Sequence, residues 1–249
     1  MSAPLLVEEH DDRMVLRLNR PEVRNAIDRD MVDALHAACA ALEAHPRVAL
    51  VTGTGGTFAA GADIAQLRER RRDDALAGIN SGLFDRVHRL PLPVIALVDG
   101  YALGGGAELA YACDFRIGTP ATRFGNPEPG LGIIAAAGAA WRLKELVGEP
   151  LAAEVLLAGR VLDAQECLAA RLLTEVVEPE DLEAAGHRLA DRITAQAPLA
   201  VRLTKAVLHA PRDAHPLLDD VAQAVLFETQ DKADRMDAFL ARRARKEQR

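Results

Sequence analysis

The sequence predicts an α/β fold, and three observations carry that prediction. Short apolar runs, Val48-Ala49-Leu50-Val51, Val94-Ile95-Ala96-Leu97-Val98 and Phe115-Arg116-Ile117-Gly118, have the length, composition and bounding residues of strands, the second that of a strand buried on both faces. Segments with apolar residues at helical spacing alternate with them. Glycine-rich turns follow the first two runs, Gly53 to Gly61 and Gly104-Gly105-Gly106, and glycine lets a ligand approach the backbone closely.

Taken in order, Leu5 to Val7 and Met14 to Leu18 read as two strands joined by the polar turn His10-Asp11-Asp12, a hairpin at the sheet edge. Asp28 caps a helix over 29–44, where Met31, Leu35, Ala38 and Leu42 recur at helical spacing until Pro46 stops it. The loop after the next strand, Gly53 to Asp63, has no Lys-Ser or Lys-Thr after Gly61 and no Gly-x-Gly-x-x-Gly through Gly53 and Gly55, which argues against nucleoside triphosphate chemistry. Asp63 with Gln66 has the spacing of a capping box, which places Ala62 just outside a helix start with its N–H free. The charge run Arg68 to Asp74 reads as a solvated, mobile face with no catalytic part. A further helix leads from there to Pro91 and Pro93 and the central strand.

After that strand, Asp99 to Asp114 reads as a glycine turn and a helix starting near Gly105, with free N–H groups in its first turn. Such an end attracts negative charge, and Glu108 sits within one turn of it. On this stretch alone Glu108 is either a complement to the helix dipole or a titratable acid beside donors for a ligand. The strand at Phe115 follows, and then Pro127 and Pro129 hold Glu128 in a rigid turn. Glu128 is either a surface residue between turn formers or an acid whose pKa the adjoining apolar segment raises. That segment, Pro129 to Trp141, has 13 residues without charge, short of the roughly 18 to 20 that cross a bilayer, so it is expected inside or lining a pocket.

From Pro150 the chain reads as helices, one capped by Asp163 and one over 182–196, around a short strand at Glu175-Val176-Val177. A boundary is expected at Ala197-Pro198, giving a core of residues 1–197 and a tail of residues 198–249. The tail's three helices, over 199–209, 216–229 and 232–244, are too few for a core of their own and are expected to pack on a neighbouring subunit.

Composition narrows the function classes. With 249 residues, 49 % of them hydrophobic and 27 % charged, the chain is long enough for one sizeable core and an appendage. A net charge of −7 argues against a nucleic-acid surface. Cys39, Cys113 and Cys167 lack close pairs and are expected as buried free thiols in a reducing compartment. Met1-Ser2-Ala3-Pro4 opens no signal peptide, so cytoplasmic location without membrane association is expected. The histidines show no metal-ligand spacing, and neither Ser2 nor Ser81 lies in a nucleophile elbow, so no metal and no serine hydrolase are expected. Tyr101 and Trp141 read as packing residues.

Four segments together resemble the enoyl-CoA hydratase/isomerase family, the crotonases, over nearly the whole chain. They are Asn19-Arg20-Pro21 with Asn25-Ala26; Phe58-Ala59-Ala60-Gly61-Ala62-Asp63-Ile64; Gly100 to Leu109; and Phe124-Gly125-Asn126-Pro127-Glu128. The resemblance implies a crotonase-like spiral of ββα turns with a C-terminal helical trimerisation region, assembled as a homotrimer or a homohexamer built from two trimers. It implies that the N–H groups of Ala62 and Gly105 form an oxyanion hole for an acyl-CoA thioester, with Glu108 and Glu128 as the catalytic pair. Both glutamates favour hydration of a 2-enoyl-CoA over isomerisation. Hydrolysis or carbon–carbon cleavage of another acyl-CoA, and a non-catalytic RNA-binding or scaffold role, are the alternatives. No cofactor is implied beyond the coenzyme A of the substrate. Arg24, Ala60, Asp63, Ile64 and Lys205 are further candidates for substrate binding. The sequence leaves the family pattern at Ala135-Ala136-Ala137-Gly138-Ala139-Ala140-Trp141, where hydratases usually carry a proline and a Gly-x-Gly-Gly-Thr run. It also carries Asn126 for a usual glutamine and Ala107 for a common cysteine.

Overall fold

The computed structural model describes residues 3–247. The leader-peptide reading of Met1 and Ser2 lies outside them. Two sheets organise the N-terminal part. Strands β1 (Leu5–Glu9), β2 (Arg13–Leu18), β3 (Val48–Gly53), β4 (Val94–Val98), β6 (Phe115–Gly118) and β9 (Glu175–Val176) form the larger, in the order β1-β2-β3-β4-β6-β9. Strands β5 (Tyr101–Leu103), β7 (Arg123–Gly125) and β8 (Leu162–Asp163) form the smaller, in the order β5-β7-β8. Only β1 runs antiparallel in the larger sheet, as the edge hairpin requires; Leu50 on β3 stands level with Val15 on β2 and Ile95 on β4. Strand β4 is buried throughout, as expected for a strand covered on both faces.

The chain climbs in ββα turns. Strand β4 in one sheet leads to β5 in the other and then to helix Gly105–Ala112; β6 leads likewise to β7, a single 3₁₀ turn at Glu128–Leu131 and helix Ala139–Val147. After β3 the second strand of the turn shrinks to one bridge, Ala59 beside Ala102. Asp28 caps helix Arg29–Ala44 through the Met31 N–H at 2.9 Å, and Asp163 and Glu166 form a reciprocal capping box. Cys39, Cys113 and Cys167 are buried, and none forms a disulfide among the described residues.

Three readings need correction. Tyr101–Leu103 and Arg123–Gly125 are strands rather than parts of a turn and a loop; each pairs with its neighbour over only three residues, too few to show a period of two. The expected capping box at Asp63 is half formed. Asp63 accepts from the N–H groups of Ala65 and Gln66 at 3.0 and 3.1 Å, but the Gln66 side chain accepts from Arg29 N instead of returning to Asp63. The Asp63 N–H is already engaged by Ile27 O at 3.3 Å.

The chain separates into two units, residues 1–191 and 192–249. The division falls within helix Leu182–Thr194, and Pro198 opens the next helix, Pro198–Leu208. In the C-terminal unit, helices Leu217–Phe227 and Gln230–Glu247 follow it. Leu217, Val221 and Val225, spaced by four, are exposed apolar residues of the first of these, and Met236, Phe239 and Leu240 of the second.

Candidate active site

The site begins with a short backbone ladder between two loops. Phe58 N donates to Asp99 O at 2.8 Å, Ala59 N to Tyr101 O at 3.0 Å, and Leu103 N returns to Ala59 O at 3.0 Å. Gly106 makes this approach possible, since a Cβ there would come within 2.1 Å of Ala59 O. On the other side of the loop, Ile27 N donates to Gly61 O at 2.8 Å and Asp63 N to Ile27 O, which leaves the Ala62 N–H between them without an acceptor among the described residues. Gly105 opens helix Gly105–Ala112, so its N–H has no partner within the helix and finds none elsewhere among the described residues. The two groups face one small volume: a methyl built on Gly105 would stand 3.5 Å from the Ala62 nitrogen.

Two buried carboxyl groups adjoin that volume. Glu108 Oε1 accepts from Ala137 N at 2.7 Å and Ala139 N at 3.1 Å. Burial pushes its pKa up to about 7; the Ala139 N–H opposes the rise, the nearby Glu128 charge adds to it, and the Ala137 N–H and Arg142 lower it. Glu128 is also raised, chiefly by burial, against its own backbone N–H and the Asn126 amide. Its Oε2 is buried with no hydrogen-bond partner among the described residues. Its Oε1 receives a long bond, 3.5 Å, from Asn126 Nδ2, and Asn126 Oδ1 accepts from the Tyr111 hydroxyl at 3.2 Å. The Tyr111 ring stacks on Phe124 with centroids 5.7 Å apart, so the aromatic pair fixes the start of the chain that ends on Glu128. Gly104, at φ 52°, is needed twice over: its backbone is left-handed, and a Cβ would reach 3.0 Å from Glu128 Oε1.

A cavity of about 430 Å³ is lined by Ala62, Gly105, Glu108 and Glu128 together. Leu67, Ile79, Ile133, Ile134 and Ala136 give it an apolar wall, so the uncharged segment after Pro129 does line a pocket. The alanine run that leaves the family pattern supplies both N–H groups on Glu108. Arg142, buried one turn further on, reaches Asp85 Oδ1 at 3.4 Å and lies over the Trp141 ring, 3.9 Å from its centroid. Trp141 and Tyr101, expected in the packing, are instead 46 % and 47 % exposed.

The remaining candidates are spread more widely. Arg24 is exposed at φ 53°, and its carbonyl accepts from Ala60 N at 2.9 Å; Asp63 caps the helix that Ile64 opens, and Ile64 is exposed. None of these four lines the cavity. Lys205 is a buried residue of helix Pro198–Leu208 in the C-terminal unit. The charge run, in contrast, does reach the site, because Arg70, Arg71 and Asp74 line the cavity. Two asparagines join these elements, Asn25 from the first family segment and Asn80, which carried no motif signal. Asn25, buried, accepts from Arg20 N at 2.8 Å and donates to Thr54 O and Thr57 O at 2.9 and 2.7 Å, joining the first family segment to the Ala62 loop. Asn80 lines the cavity and accepts from Arg70 Nη1 at 3.0 Å. Among the described residues no three His, Cys, Asp or Glu side chains gather as a metal site, and no helix is long and apolar enough to cross a membrane.

Comparison with known proteins agrees with this geometry. The enoyl-CoA hydratase/isomerase family profile matches residues 9–247. A crotonyl-CoA hydratase of Syntrophomonas wolfei is 37 % identical over 248 residues, covering 96 % of this chain and 95 % of the relative. A short-chain-enoyl-CoA hydratase of Clostridium acetobutylicum is 34 % identical with the same coverage. Among solved structures, an enoyl-CoA hydratase from Bacillus anthracis superimposes with a TM-score of 0.90 at 29 % identity, over 96 % of each chain. The fold is the crotonase fold, and the chain belongs to the enoyl-CoA hydratase/isomerase family.

Proposed function

We propose that this protein is an enoyl-CoA hydratase that adds water across the 2,3 double bond of a 2-enoyl-CoA. The observation that carries the proposal is the meeting, in one cavity, of two N–H groups without an acceptor among the described residues and two buried carboxyls with raised pKa values. Attack of water at C3 moves the π electrons toward the thioester oxygen, which becomes an enolate. The Ala62 and Gly105 N–H groups receive that charge, and a fixed donor in such a position is worth about 3 to 4 kcal/mol. Ionised Glu108 takes a proton from the attacking water, held between the two carboxyls, while protonated Glu128 delivers its proton to C2. One proton is accepted and one donated, so the pair regains its starting state by passing a proton from Glu108 to Glu128. Positioned acid and base together contribute roughly two to four powers of ten.

Coenzyme A enters as part of the substrate, and no separate cofactor takes part in this scheme. Arg24, Ala60 and Asp63 lie on the paired segments 24–27 and 60–63, Ile64 follows directly, and the four are proposed to meet the coenzyme A moiety. The exposed apolar residues of the C-terminal helices support self-association as a trimer or a hexamer.

The test is incubation with a panel of 2-enoyl-CoAs, following loss of the conjugated thioester absorbance together with product mass. A gain of one water supports the proposal. An unchanged mass with a shifted double bond, or release of free coenzyme A, refutes it in favour of an isomerase or a hydrolase. Glu128→Gln should abolish turnover and Glu108→Gln should cut hydration heavily without changing the oligomer; full hydration by either variant would sink the assignment of the pair.

A further inference from the structure

We propose that Asn80 supplies a third hydrogen-bond donor to the thioester oxygen, with Arg70 as the residue that orients its amide. The inference rests on the hydratase reading above and extends the pair of backbone donors with a side chain from a different element.

Asn80 lies in the first turn of helix Ile79–His88, half-buried, and lines the cavity. Its carboxamide has one definite orientation. A guanidinium carries donors only, so the 3.0 Å contact from Arg70 Nη1 fixes the amide oxygen toward Arg70 and turns the NH₂ group the other way. That NH₂ group has no acceptor among the described residues. It faces the site: the Asn80 nitrogen stands 3.9 Å from the point that a Gly105 Cβ would occupy, and the same point is 3.5 Å from Ala62 N. The Gly105, Ala62 and Asn80 nitrogens therefore border a single volume.

Arg70 adds more than orientation. It makes no ion pair among the described residues, and its hydrogen-bonding contact with another side chain is the one to Asn80. A cation donating to the amide oxygen draws electron density from the NH₂ group and strengthens it as a donor, an effect that grows as negative charge appears on the ligand. An enolate oxygen then gains more from Asn80 than a ground-state carbonyl does, which is the condition for raising kcat rather than only lowering KM.

The experiment measures the carbonyl stretch of butyryl-CoA, carbon-13 labelled at the thioester carbonyl, by difference infrared spectroscopy. Butyryl-CoA has no double bond to hydrate, so its spectrum reports hydrogen bonding alone. The wild type should shift the bound stretch to lower frequency than in free butyryl-CoA. Asn80→Ala and the near-isosteric Asn80→Leu should each reduce that shift, Arg70→Ala should reduce it partly, and Arg70→Lys, which keeps a cationic donor, should restore it. With crotonyl-CoA, both Asn80 variants should lose about tenfold in kcat with a much smaller change in KM. A full wild-type shift and full kcat in both Asn80 variants overturns the third donor while leaving the two-donor reading intact. A wild type that binds butyryl-CoA with no shift removes the two-donor reading itself and this proposal with it.

Discussion

Replacing Glu108 by glutamine should stabilise the protein, and by an amount set by pH. A carboxyl whose folded pKa is about 7 against an ordinary 4.5 favours the native state only while it is protonated. Below the unfolded value both states carry the proton and the group costs nothing. As pH rises past 4.5 the unfolded chain ionises first, so stability falls until the folded carboxyl also ionises near 7, and the cost then levels off. With about 1.4 kcal/mol for each pH unit that separates the folded from the unfolded value, the plateau is about 3 kcal/mol. Glutamine keeps an oxygen for the Ala137 and Ala139 N–H groups while removing the charge. Glu108→Gln should therefore exceed the wild type by about 3 kcal/mol at pH 8 and by about 1 kcal/mol or less at pH 5. Urea unfolding of both proteins at the two pH values, at one fixed protein concentration, measures the difference. A gain of the same size at both values, or a variant less stable than the wild type at pH 8, refutes burial as the origin of the raised pKa.

Gly106→Ala and Gly105→Ala should behave in opposite ways. At Gly106 the added methyl meets Ala59 O at 2.1 Å, a carbonyl already bonded to Leu103 N, so denaturation should show a loss of about 3 kcal/mol or more. At Gly105 the methyl has ordinary contacts and the helix gains a better former, so stability should be kept while the filled space before Ala62 N lowers kcat/KM for crotonyl-CoA by about a hundredfold. Arg116→Met should cost about 3 kcal/mol in the same unfolding assay, because the buried guanidinium serves the carbonyls of Leu172, Ala110 and Cys113 at 2.7, 3.2 and 2.7 Å. In steady-state kinetics, kcat/KM for hydration should fall as pH drops below about 7 and Glu108 takes up its proton, and the variant Glu108→Gln should lack that limb.

The sheet was legible wherever burial on both faces imposed a continuous apolar run. Val94 to Val98 shows this, and Asp28 and Asp163 announce their helices because a cap is a local bond. The three-residue strands at Tyr101 and Arg123 were hidden, since so short a pairing leaves no alternation to read. At the site, the segments holding Ala62, Gly105, Glu108 and Glu128 were recognisable from their motifs, and the structure brings all four to one cavity. Partners set by tertiary approach were not legible. Gln66 looked like half of a box, yet the Arg29 N–H, 37 positions away, takes its oxygen. The Arg68 to Asp74 run looked like solvated charge, and nothing local reveals that Arg70 turns back toward Asn80 at the cavity wall.

The ladder through Ala59 has a consequence for how the protein can be altered. It consists of main-chain groups alone, and none of the side chains that wall the cavity takes part in it. The apolar wall comes from elsewhere, from Leu67 and Ile79 on one side and Ile133, Ile134 and Ala136 on the other. The two functions are thus mechanically separate: a substitution in the wall can reshape the space for the acyl chain while the distance that the developing charge must match stays as it is. Libraries that vary these wall positions and leave residues 58–62 and 99–106 untouched should change which acyl groups are accepted without rebuilding the chemistry.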